Sequence, residues 1–181
     1  MLLGPNKKTF LSSVEEENIE QLRLWRNRPD LRQYFREYKE ISKTSQLKWF
    51  KKHILGDQNE INFEIHDYDS KKIIGHCVLS QIKWTNKTSE FGIYLGDDSF
   101  LGKGYGKDAL ETLIKYGFEE ICLNRIWAEV YSINENALNL YKKVGFEIEG
   151  VLKQHVYKNG KFIDSFLIGL LKEKWDEKKV I

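Results

Sequence analysis

The sequence predicts an α/β sandwich in which helices pack against a mixed sheet. Two observations lead to this fold class. Runs that alternate polar and apolar residues, as β-strands do, are interspersed with segments whose apolar residues recur at helical spacing. These segments follow one another in the order β, α, α, β, β, β, α, β, α, β, β. The 181 residues contain no internal repeat and no proline-rich linker, so we expect a single domain over residues 1–181.

The first half of the chain is expected to supply four strands and two helices. Thr9-Phe10-Leu11 is predicted to form the first strand. A helix is predicted from Val14 to Arg28, because its apolar residues recur at helical spacing and Pro29 disfavours helical backbone in the residue before it. A second helix is predicted from Thr44 to Ile54, and residues 30–42 have no clear pattern. Three antiparallel strands complete this half: Asn62 to Tyr68, Ile73 to Lys83 and Glu90 to Leu95.

The second half alternates helices and strands and ends in a hairpin. A helix is predicted over Asp108 to Phe118, after a glycine-rich loop, and a strand over Asn124 to Tyr131. The next helix starts near Asn134 and ends at Gly145, a residue type that is common just beyond a helix C-terminus. Asn159-Gly160 lies between two alternating runs and is typical of a type I′ turn, because both central residues of that turn need positive φ.

Composition narrows the functional classes. A formal net charge of +2 favours neither nucleic acid nor an anionic membrane as a partner. No apolar run approaches the roughly 18 residues of a membrane span, and the first residues lack the order of a signal peptide. Cys77 and Cys122 both lie in apolar stretches, so we expect two buried free thiols in a reducing, cytoplasmic setting. The histidines have no ligand spacing, so no metal site is expected: His53, His66, His76 and His155.

The most informative stretch is the loop from Leu101 to Lys107, which has glycines at alternate positions and leads into a helix. Backbone N–H groups are free at a helix N-terminus, where the helix dipole is positive, so such a loop favours phosphate. The loop is not a Walker loop, because Asp108 stands where that pattern needs Ser or Thr after its lysine. It is not a Rossmann fingerprint, whose glycines have another spacing and lie in the first strand–helix turn. The loop therefore predicts a different phosphate-bearing ligand.

A second motif, N-x-x-A-x-x-x-Y-x-K-x-G-F, covers Asn134 to Phe146. Together with the glycine loop and the helix and strand between them, it resembles the GNAT superfamily, whose members transfer an acyl group from coenzyme A to an amine. The resemblance extends from Glu90 to Phe146. It implies a mixed, mostly antiparallel sheet that is splayed at its centre and flanked by helices. It also implies acetyl-CoA as the co-substrate and no metal.

Two further segments resemble particular branches of that superfamily. Trp25-Arg26-Asn27 and the aromatic-rich segment after it are similar to acetyltransferases that act on nucleotide-linked amino sugars. The tail resembles ribosomal-protein N-terminal acetyltransferases, although each of its residues equally suits the last two strands of a sheet. The tail residues that carry this second resemblance are Glu149-Gly150-Val151-Leu152, Asn159-Gly160, Asp164, Leu170-Leu171 and Trp175.

The resemblance implies how the coenzyme is held. Backbone groups of the strand at the splay would bind the pantetheine arm, and amides of the glycine loop would bind the pyrophosphate, with lysines adding charge at the rim. The residues expected in these roles are Ile93, Tyr94, Leu95, Gly102, Lys103, Gly104, Tyr105, Gly106, Lys107, Asn134 and Lys143. Asn134 equally suits a plain helix cap. Leu101 stands where the family usually has Gln or Arg, so one polar contact is lost.

The resemblance also implies two catalytic residues. Tyr141 matches the tyrosine of the motif and would protonate the departing thiolate, since a phenol and a thiol have comparable pKa values. Its alternative role is that of a buried aromatic residue on a short helix. Glu90 would take a proton from the amine, directly or through water, and its alternative is a solvated strand residue. Glu129, on the next strand, is a weaker candidate for the base.

The acceptor pocket is expected to come from the N-terminal helices. Arginines bind phosphates and stack on bases, and aromatic rings cover sugars, although an arginine-rich helix face equally suits solvent and ion pairs. The expected acceptor-binding residues are Trp25, Arg26, Asn27, Arg32, Tyr34 and Arg36.

These observations together predict an acetyl-CoA-dependent N-acetyltransferase that acts by direct transfer through a ternary complex. The expected acceptor is a nucleotide-linked amino sugar or another small amine, and the expected assembly is a monomer or a homodimer. One alternative is an acetyltransferase of protein N-termini, as the tail suggests. An alternative of another class is a non-catalytic acyl-CoA-binding sensor or interaction domain.

Overall fold

The computed structural model describes residues 1–179, which form one sheet of eight strands in the order β1-β2-β3-β4-β5-β6-β8-β7. Neighbouring strands are antiparallel except for β5 and β6, which are parallel. The strands are β1 (Leu2–Leu3), β2 (Thr9–Ser13), β3 (Ile61–Asp67), β4 (Ile73–Lys83), β5 (Thr88–Leu95), β6 (Arg125–Tyr131), β7 (Glu147–Lys158) and β8 (Lys161–Leu171).

Helices cover the sheet, and two of them end in a π-helical turn. The helices are α1 (Ile19–Asn27), α2 (Pro29–Arg32), α3 (Lys43–Trp49), α4 (Tyr105–Lys115), α5 (Glu135–Val144) and α6 (Lys172–Lys179). The π-helical turns Phe50–Ile54 and Tyr116–Glu120 extend α3 and α4. Two short 3-10 turns, Glu16–Asn18 and Asp98–Phe100, precede α1 and the glycine loop.

The predicted fold class is confirmed, and the differences lie mainly at the ends of elements. The first helix begins at Ile19 instead of Val14, because the backbone is extended at Glu15 and then forms the 3-10 turn. It ends just before Pro29, as predicted, and Pro29 itself starts the short helix α2. The helix predicted from Asp108 already begins at Tyr105. Elements β1, α2 and α6 were not expected, since each is short or polar and has little apolar periodicity.

The sheet opens at its centre, where β5 meets β6. The two strands pair only from Thr88 opposite Arg125 to Glu90 opposite Trp127. Beyond this point β5 stays paired with β4 as far as Leu95, and β6 stays paired with β8. The strands therefore diverge after Glu90 and leave a V-shaped opening in the sheet. This is the central splay that the resemblance implied.

The two faces of the sheet carry separate apolar clusters. On β5, Phe91 and Leu95 face the main core, which also contains Leu113 of α4 and Tyr141 of α5. We call this the α4–α5 face. Tyr94 packs on the opposite side, against a smaller cluster around Leu22 of α1, and we call that side the α1–α3 face. Because side chains alternate along a strand, Glu90 and Tyr94 lie on the same α1–α3 face.

The two cysteines differ in environment. Cys77 is fully buried on β4, as predicted. The prediction for Cys122 was wrong, since it is exposed in the turn before β6, where its φ of +56° places it in the left-handed region. The apolar residues around it pack inward, whereas the turn directs the thiol outward. Among the helices within residues 1–179, none is long and apolar enough to cross a membrane.

Candidate active site

The glycine loop presents the start of α4 to open space. Gly102 and Gly104 have φ of +71° and +89°, the left-handed region in which glycine is favoured. A Cβ atom at Gly102 would meet nothing within 4 Å, and at Gly104 it would meet only the Lys8 side chain at 3.8 Å. The first amides of α4, from Tyr105 onward, therefore border a space that a ligand can enter. Free amides and the positive end of the helix dipole favour an anion there.

A buried carboxylate anchors this loop to the N-terminus of the chain. Asp108 accepts hydrogen bonds from the backbone N–H groups of Asn6 (2.7 Å), Lys8 (3.2 Å) and Thr9 (2.9 Å). The hydroxyl of Thr9 and the side-chain amide of Asn6 also donate to it. These bonds bring Lys8 to the loop, where its Nζ donates to the Lys103 carbonyl at 3.1 Å. Lys8 could not be predicted here from local sequence, because 95 residues separate it from Lys103.

The other residues predicted near the phosphates are placed as follows. Lys103 and Lys143 have exposed side chains. Lys107 forms an ion pair with Glu111, with 3.5 Å between Nζ and Oε1. The ring of Tyr105 packs against Phe100, with 4.8 Å between ring centres. Leu101 is half exposed at the start of the loop. The loop therefore offers exposed cations at its rim and backbone amides at its centre.

Tyr141 lies on the α4–α5 face beside the opening. Its ring packs edge-on against Phe91 of β5, with 5.1 Å between ring centres, and also contacts Phe146. Burial raises the pKa of Tyr141, so the phenol keeps its proton at neutral pH. Asn134 caps α5, because its Oδ1 accepts a hydrogen bond from Ala137 N at 3.2 Å. The helix-cap role of Asn134 is thus observed, and its role toward the coenzyme stays a prediction.

The backbone of β5 has a free side at the opening. Just after the strand, Gly96 N–H donates to Ile74 O at 2.8 Å and so points toward β4. Backbone groups alternate in direction along an antiparallel strand. Ile93 and Leu95 therefore direct their backbone groups into the opening, whereas Tyr94 directs its own toward β4. The side chain of Tyr94 packs on the α1–α3 face.

Glu90 lies at the point where the strands diverge, on the α1–α3 face, and is 5% exposed. Arg36 binds it through two bonds: Nη1 donates to Oε2 at 3.1 Å, and Nη2 donates to Oε1. Gln81 Nε2 also donates to Oε2, at 2.5 Å. Glu90 is thus a buried carboxylate held by three donors, and not the solvated residue of the alternative interpretation.

Glu129 provides a second carboxylate on the same face. Its Oε2 accepts a bond from Arg36 Nη2 at 3.3 Å. Its Oε1 is buried and accepts no hydrogen bond from residues 1–179, although His155 Nε2 lies 3.8 Å away. The neighbouring Glu90 raises the pKa of the Arg36 guanidinium. Arg36 is therefore held between two carboxylates, which differs from the phosphate-binding role expected from the sequence.

The remaining acceptor residues divide into structural and cavity-lining groups. Trp25 packs so closely on Gly96 that a Cβ there would lie 1.9 Å from the indole ring. Asn27 holds the segment after α2, because its side chain bonds both the N–H and the carbonyl of Ile41. Arg26 lies over the Phe35 ring at 5.4 Å and lines a cavity on the α1–α3 face. Arg32 and Tyr34 are half-buried near α2.

One cluster of possible metal ligands was not predicted from residue spacing. His53, Asp57 and Glu60 bring ligand atoms within 4.8 Å of one another at the end of α3. His53 Nδ1 and Glu60 Oε2 are 3.0 Å apart, so the two side chains already pair with each other. The expectation that the protein needs no metal stays a prediction.

The arrangement defines a class of site. Diverging strands lie between an anion-binding helix start, a protonated phenol and a buried carboxylate. An extended thioester with a phosphate group fits this opening, because free backbone groups bind an extended chain as an added strand. A carboxylate and a phenol on opposite faces suit transfer of an acyl group to an amine.

The chain belongs to the acetyltransferase (GNAT) domain family, which matches residues 11–167. It is therefore an N-acetyltransferase of the GNAT type, with acetyl-CoA as its co-substrate. Its fold is similar to that of spermidine N-acetyltransferase from Vibrio cholerae in complex with CoA and spermine. The TM-score is 0.87 at 25% identity, over 93% of this chain and 98% of that chain.

Two relatives are similar in sequence. Acetyltransferase PseH of Campylobacter jejuni is 31% identical over 137 residues, which cover 76% of this chain and 82% of PseH. The uncharacterized N-acetyltransferase p20 of Bacillus licheniformis is 32% identical over 120 residues. That match spans 66% of this chain and 66% of the length of p20. The resemblance to the ribosomal-protein branch stays a prediction.

Proposed function

We propose that the enzyme transfers the acetyl group of acetyl-CoA directly to the primary amine of a small molecule, with Glu90 as base and Tyr141 as acid. The observation that carries this proposal is their placement on opposite faces of β5 beside the strand opening. A thioester that lies in the opening has a carboxylate on one side and a protonated phenol on the other. The acceptor class expected from the sequence is a nucleotide-linked amino sugar or another small amine.

The proposed reaction needs two proton transfers and one bond exchange. Glu90 takes a proton from the ammonium form of the acceptor, directly or through a water molecule, and frees the nitrogen lone pair. The nitrogen attacks the thioester carbonyl, and a backbone N–H of β5 stabilises the oxyanion. The C–S bond then breaks as the amide forms, and Tyr141 gives its proton to the coenzyme thiolate.

The carboxylates support an amine as the acceptor. Glu90 and Glu129 are both largely buried, and Arg36 is the cation that hydrogen-bonds to both of them within residues 1–179. An ammonium group adds a positive charge to this carboxylate pair, and its N–H donors match the free Oε1 of Glu129. The Vibrio cholerae relative is named for a small cationic amine, which agrees with this view.

A small acceptor is favoured over a protein N-terminus by the segment after α2. Arg36 ties this segment to Glu90, and Lys158 Nζ donates to the Phe35 carbonyl at 2.7 Å. The segment therefore crosses the α1–α3 face above the carboxylates. A peptide acceptor would need this crossing to move aside, whereas a small amine needs only the space beneath it.

The test replaces the proposed base. Glu90→Gln keeps the size of the side chain and removes the proton acceptor, so we expect kcat to fall by about 10²–10⁴-fold. The Kd for acetyl-CoA, measured by calorimetry, should change little. Glu149→Gln is the matched control, because Glu149 also binds an arginine through both oxygens, at Arg125, outside the site. Undiminished turnover of Glu90→Gln across a panel of primary amines would remove Glu90 from the proposed role.

A further inference from the structure

A cavity on the α1–α3 face adjoins the proposed amine site. It has a volume of about 230 Å³ and lies between α1, α3 and strands β3 to β5. One end is lined by Ser80 and Gly92. Ser80 is the register partner of Glu90, and Gly92 is two residues further along β5 on the same face. The cavity is smaller than the roughly 300–1,000 Å³ of pockets that enclose a whole drug-sized ligand, so it suits a ring-sized part of the acceptor.

The far end of the cavity offers an imidazole acceptor. His76 Nε2 lies 3.1 Å from Asn62 Oδ1, and the other end of that amide, Nδ2, donates to the His53 carbonyl at 3.4 Å. This pairing places the proton of His76 on Nε2 and leaves Nδ1 as an acceptor. Burial, and to a lesser extent the charge of Arg26, lowers the pKa of His76 to about 3, so the ring is neutral. The neutral ring can therefore accept a hydrogen bond at Nδ1 from a donor group of the ligand.

Gln46 of α3 supplies a second acceptor. Its side chain is 2% exposed and lines the cavity, yet its Oε1 has no hydrogen-bond partner in the described part of the chain. A buried amide oxygen without a partner is costly, by about 1–3 kcal/mol. A ligand hydroxyl in the cavity would satisfy this atom. A flip of the side-chain amide exchanges its oxygen and its nitrogen. Gln46 can therefore either accept a hydrogen bond from the ligand hydroxyl or donate one to it.

Aromatic rings form the walls between these polar atoms. Trp49 meets His76 edge-on, with 5.9 Å between ring centres, and Tyr94 lies 5.8 Å from the same imidazole. Flat apolar walls with a few polar atoms at fixed places orient a ring by both its faces and its substituents. A flexible alkyl chain has no substituents that could bond to these polar atoms.

The charged residues at the cavity do not favour a second cation. Arg26 lines it, and its positive charge already disfavours protonation of His76. Glu60 also lines it, but its carboxylate is paired with His53 at 3.0 Å. The inner polar groups, Gln46, Asn62 and His76, are neutral. An ammonium group in this cavity would lose its water and lie near the positive charge of Arg26.

We infer that the cavity binds the neutral, hydroxyl-bearing ring of the acceptor, so that the preferred acceptor is an amino sugar and not a polyamine. The inference rests on the proposed function only for the position of the amine at Glu90. The hydroxyl groups would donate to Gln46 Oε1 and His76 Nδ1, with the ring between Trp49 and Tyr94. The specificity of the enzyme would then reside in Gln46 and His76.

The test compares three amines with acetyl-CoA: glucosamine, cyclohexylamine and spermidine. Cyclohexylamine keeps the six-membered ring and removes the hydroxyls, and spermidine adds further charge. We expect kcat/KM for glucosamine to exceed that for each of the others by about 10²-fold, since each unmatched hydrogen bond costs about tenfold or more. Gln46→Leu should reduce the glucosamine-to-cyclohexylamine ratio by about 10- to 100-fold. Gln33→Leu is the control and should leave the ratio unchanged, because the Gln33 amide donates to the Asp30 carbonyl and does not line the cavity.

A second variant and a binding measurement separate the possible failures. Gln46→Glu places a carboxylate in the cavity and should raise the spermidine-to-glucosamine ratio by about tenfold. A wild-type preference for spermidine, or an equal loss for every amine in Gln46→Leu, would overturn the inference and leave the amine site intact. Calorimetry with glucosamine on the CoA-bound enzyme measures binding of the acceptor separately from acetyl transfer. Glucosamine binding that depends on Gln46, with no transfer to any of the three amines, would support the cavity inference and overturn the proposed function. Absence of glucosamine binding would overturn the cavity inference.

Discussion

The two faces of the sheet build their halves of the site in different ways. On the α4–α5 face, the glycine loop runs directly into α4, and Asn134 caps the short helix that carries Tyr141. On the α1–α3 face, Arg36 meets Glu90 across 54 residues of sequence and Glu129 across 93. The first half relies on the backbone within single elements. The second half relies on side chains that several elements bring together.

This difference explains which half of the site can be predicted from the sequence. A left-handed glycine and a free helix N-terminus follow from local sequence, so a phosphate-bearing ligand can be predicted before the fold is known. A buried carboxylate and the cation beside it depend on which strands and loops become neighbours. The acceptor half is also the one in which a single substitution, such as Gln46→Glu, is expected to redirect specificity.

The largest expected effect concerns the acid on the α4–α5 face. Tyr141→Phe keeps the ring that packs on Phe91 and removes the proton donor, so kcat should fall by about 10²–10⁴-fold. Coenzyme affinity and the midpoint of thermal unfolding should change little. Tyr116→Phe is the control, because Tyr116 packs against Phe63 away from the opening. If Tyr141→Phe kept its full rate under single-turnover conditions, the thiolate would take its proton from another group.

The next effect concerns the glycine loop. Gly104 of this loop and Gly160 of the turn between β7 and β8 form a matched pair for comparison. Gly104 and Gly160 both have left-handed backbone, with φ of +89° and +81°. Valine at either position strains the backbone similarly, by roughly 1–2 kcal/mol. Only Gly104→Val also adds a branched side chain where the phosphates are expected, so the Kd for acetyl-CoA should rise about 100-fold in this variant alone. Equal affinities in the two variants, by calorimetry, would place the phosphates elsewhere.

The smallest effect compares two histidines in different environments, His76 and His66. The pKa of His76 is lowered to about 3 by burial, so the unfolded chain takes up this proton first as the pH falls below about 6.5. His76 therefore lowers the free energy of unfolding by about 2 kcal/mol between pH 7 and pH 5. In His76→Gln this part of the decline should be absent in urea unfolding.

His66 has the opposite effect on how the free energy of unfolding depends on pH. A hydrogen bond to Glu64 raises the pKa of His66, so its contribution to stability is present at low pH and is lost as the pH rises through the folded-state pKa. His66→Gln should therefore steepen the acid decline that His76→Gln relieves. Parallel pH profiles for the two variants would contradict this assignment of the two environments.

Several features could be predicted from sequence because they are local. The strands β3 and β4, the glycine loop, α5 with its end at Gly145, and the Asn159-Gly160 turn all appear where they were expected. Each depends on a periodic pattern or on one residue with a special backbone preference. Glu90 was chosen from the sequence as the candidate base, and that role stays a prediction. Its hydrogen bonds with Arg36 and Gln81 were not foreseen.

The rest of the site could not be predicted from the sequence, because it depends on contacts between distant segments. The chain by itself determined the order of the longer elements, the glycine loop and the motif that holds Tyr141. Only the tertiary structure decided that Asp108 draws Lys8 to the loop, that Arg36 lies between Glu90 and Glu129, and that Gln46 and His76 share a cavity. The physical reason is that backbone conformation follows from neighbours in sequence, whereas side-chain hydrogen bonds and burial follow from neighbours in space.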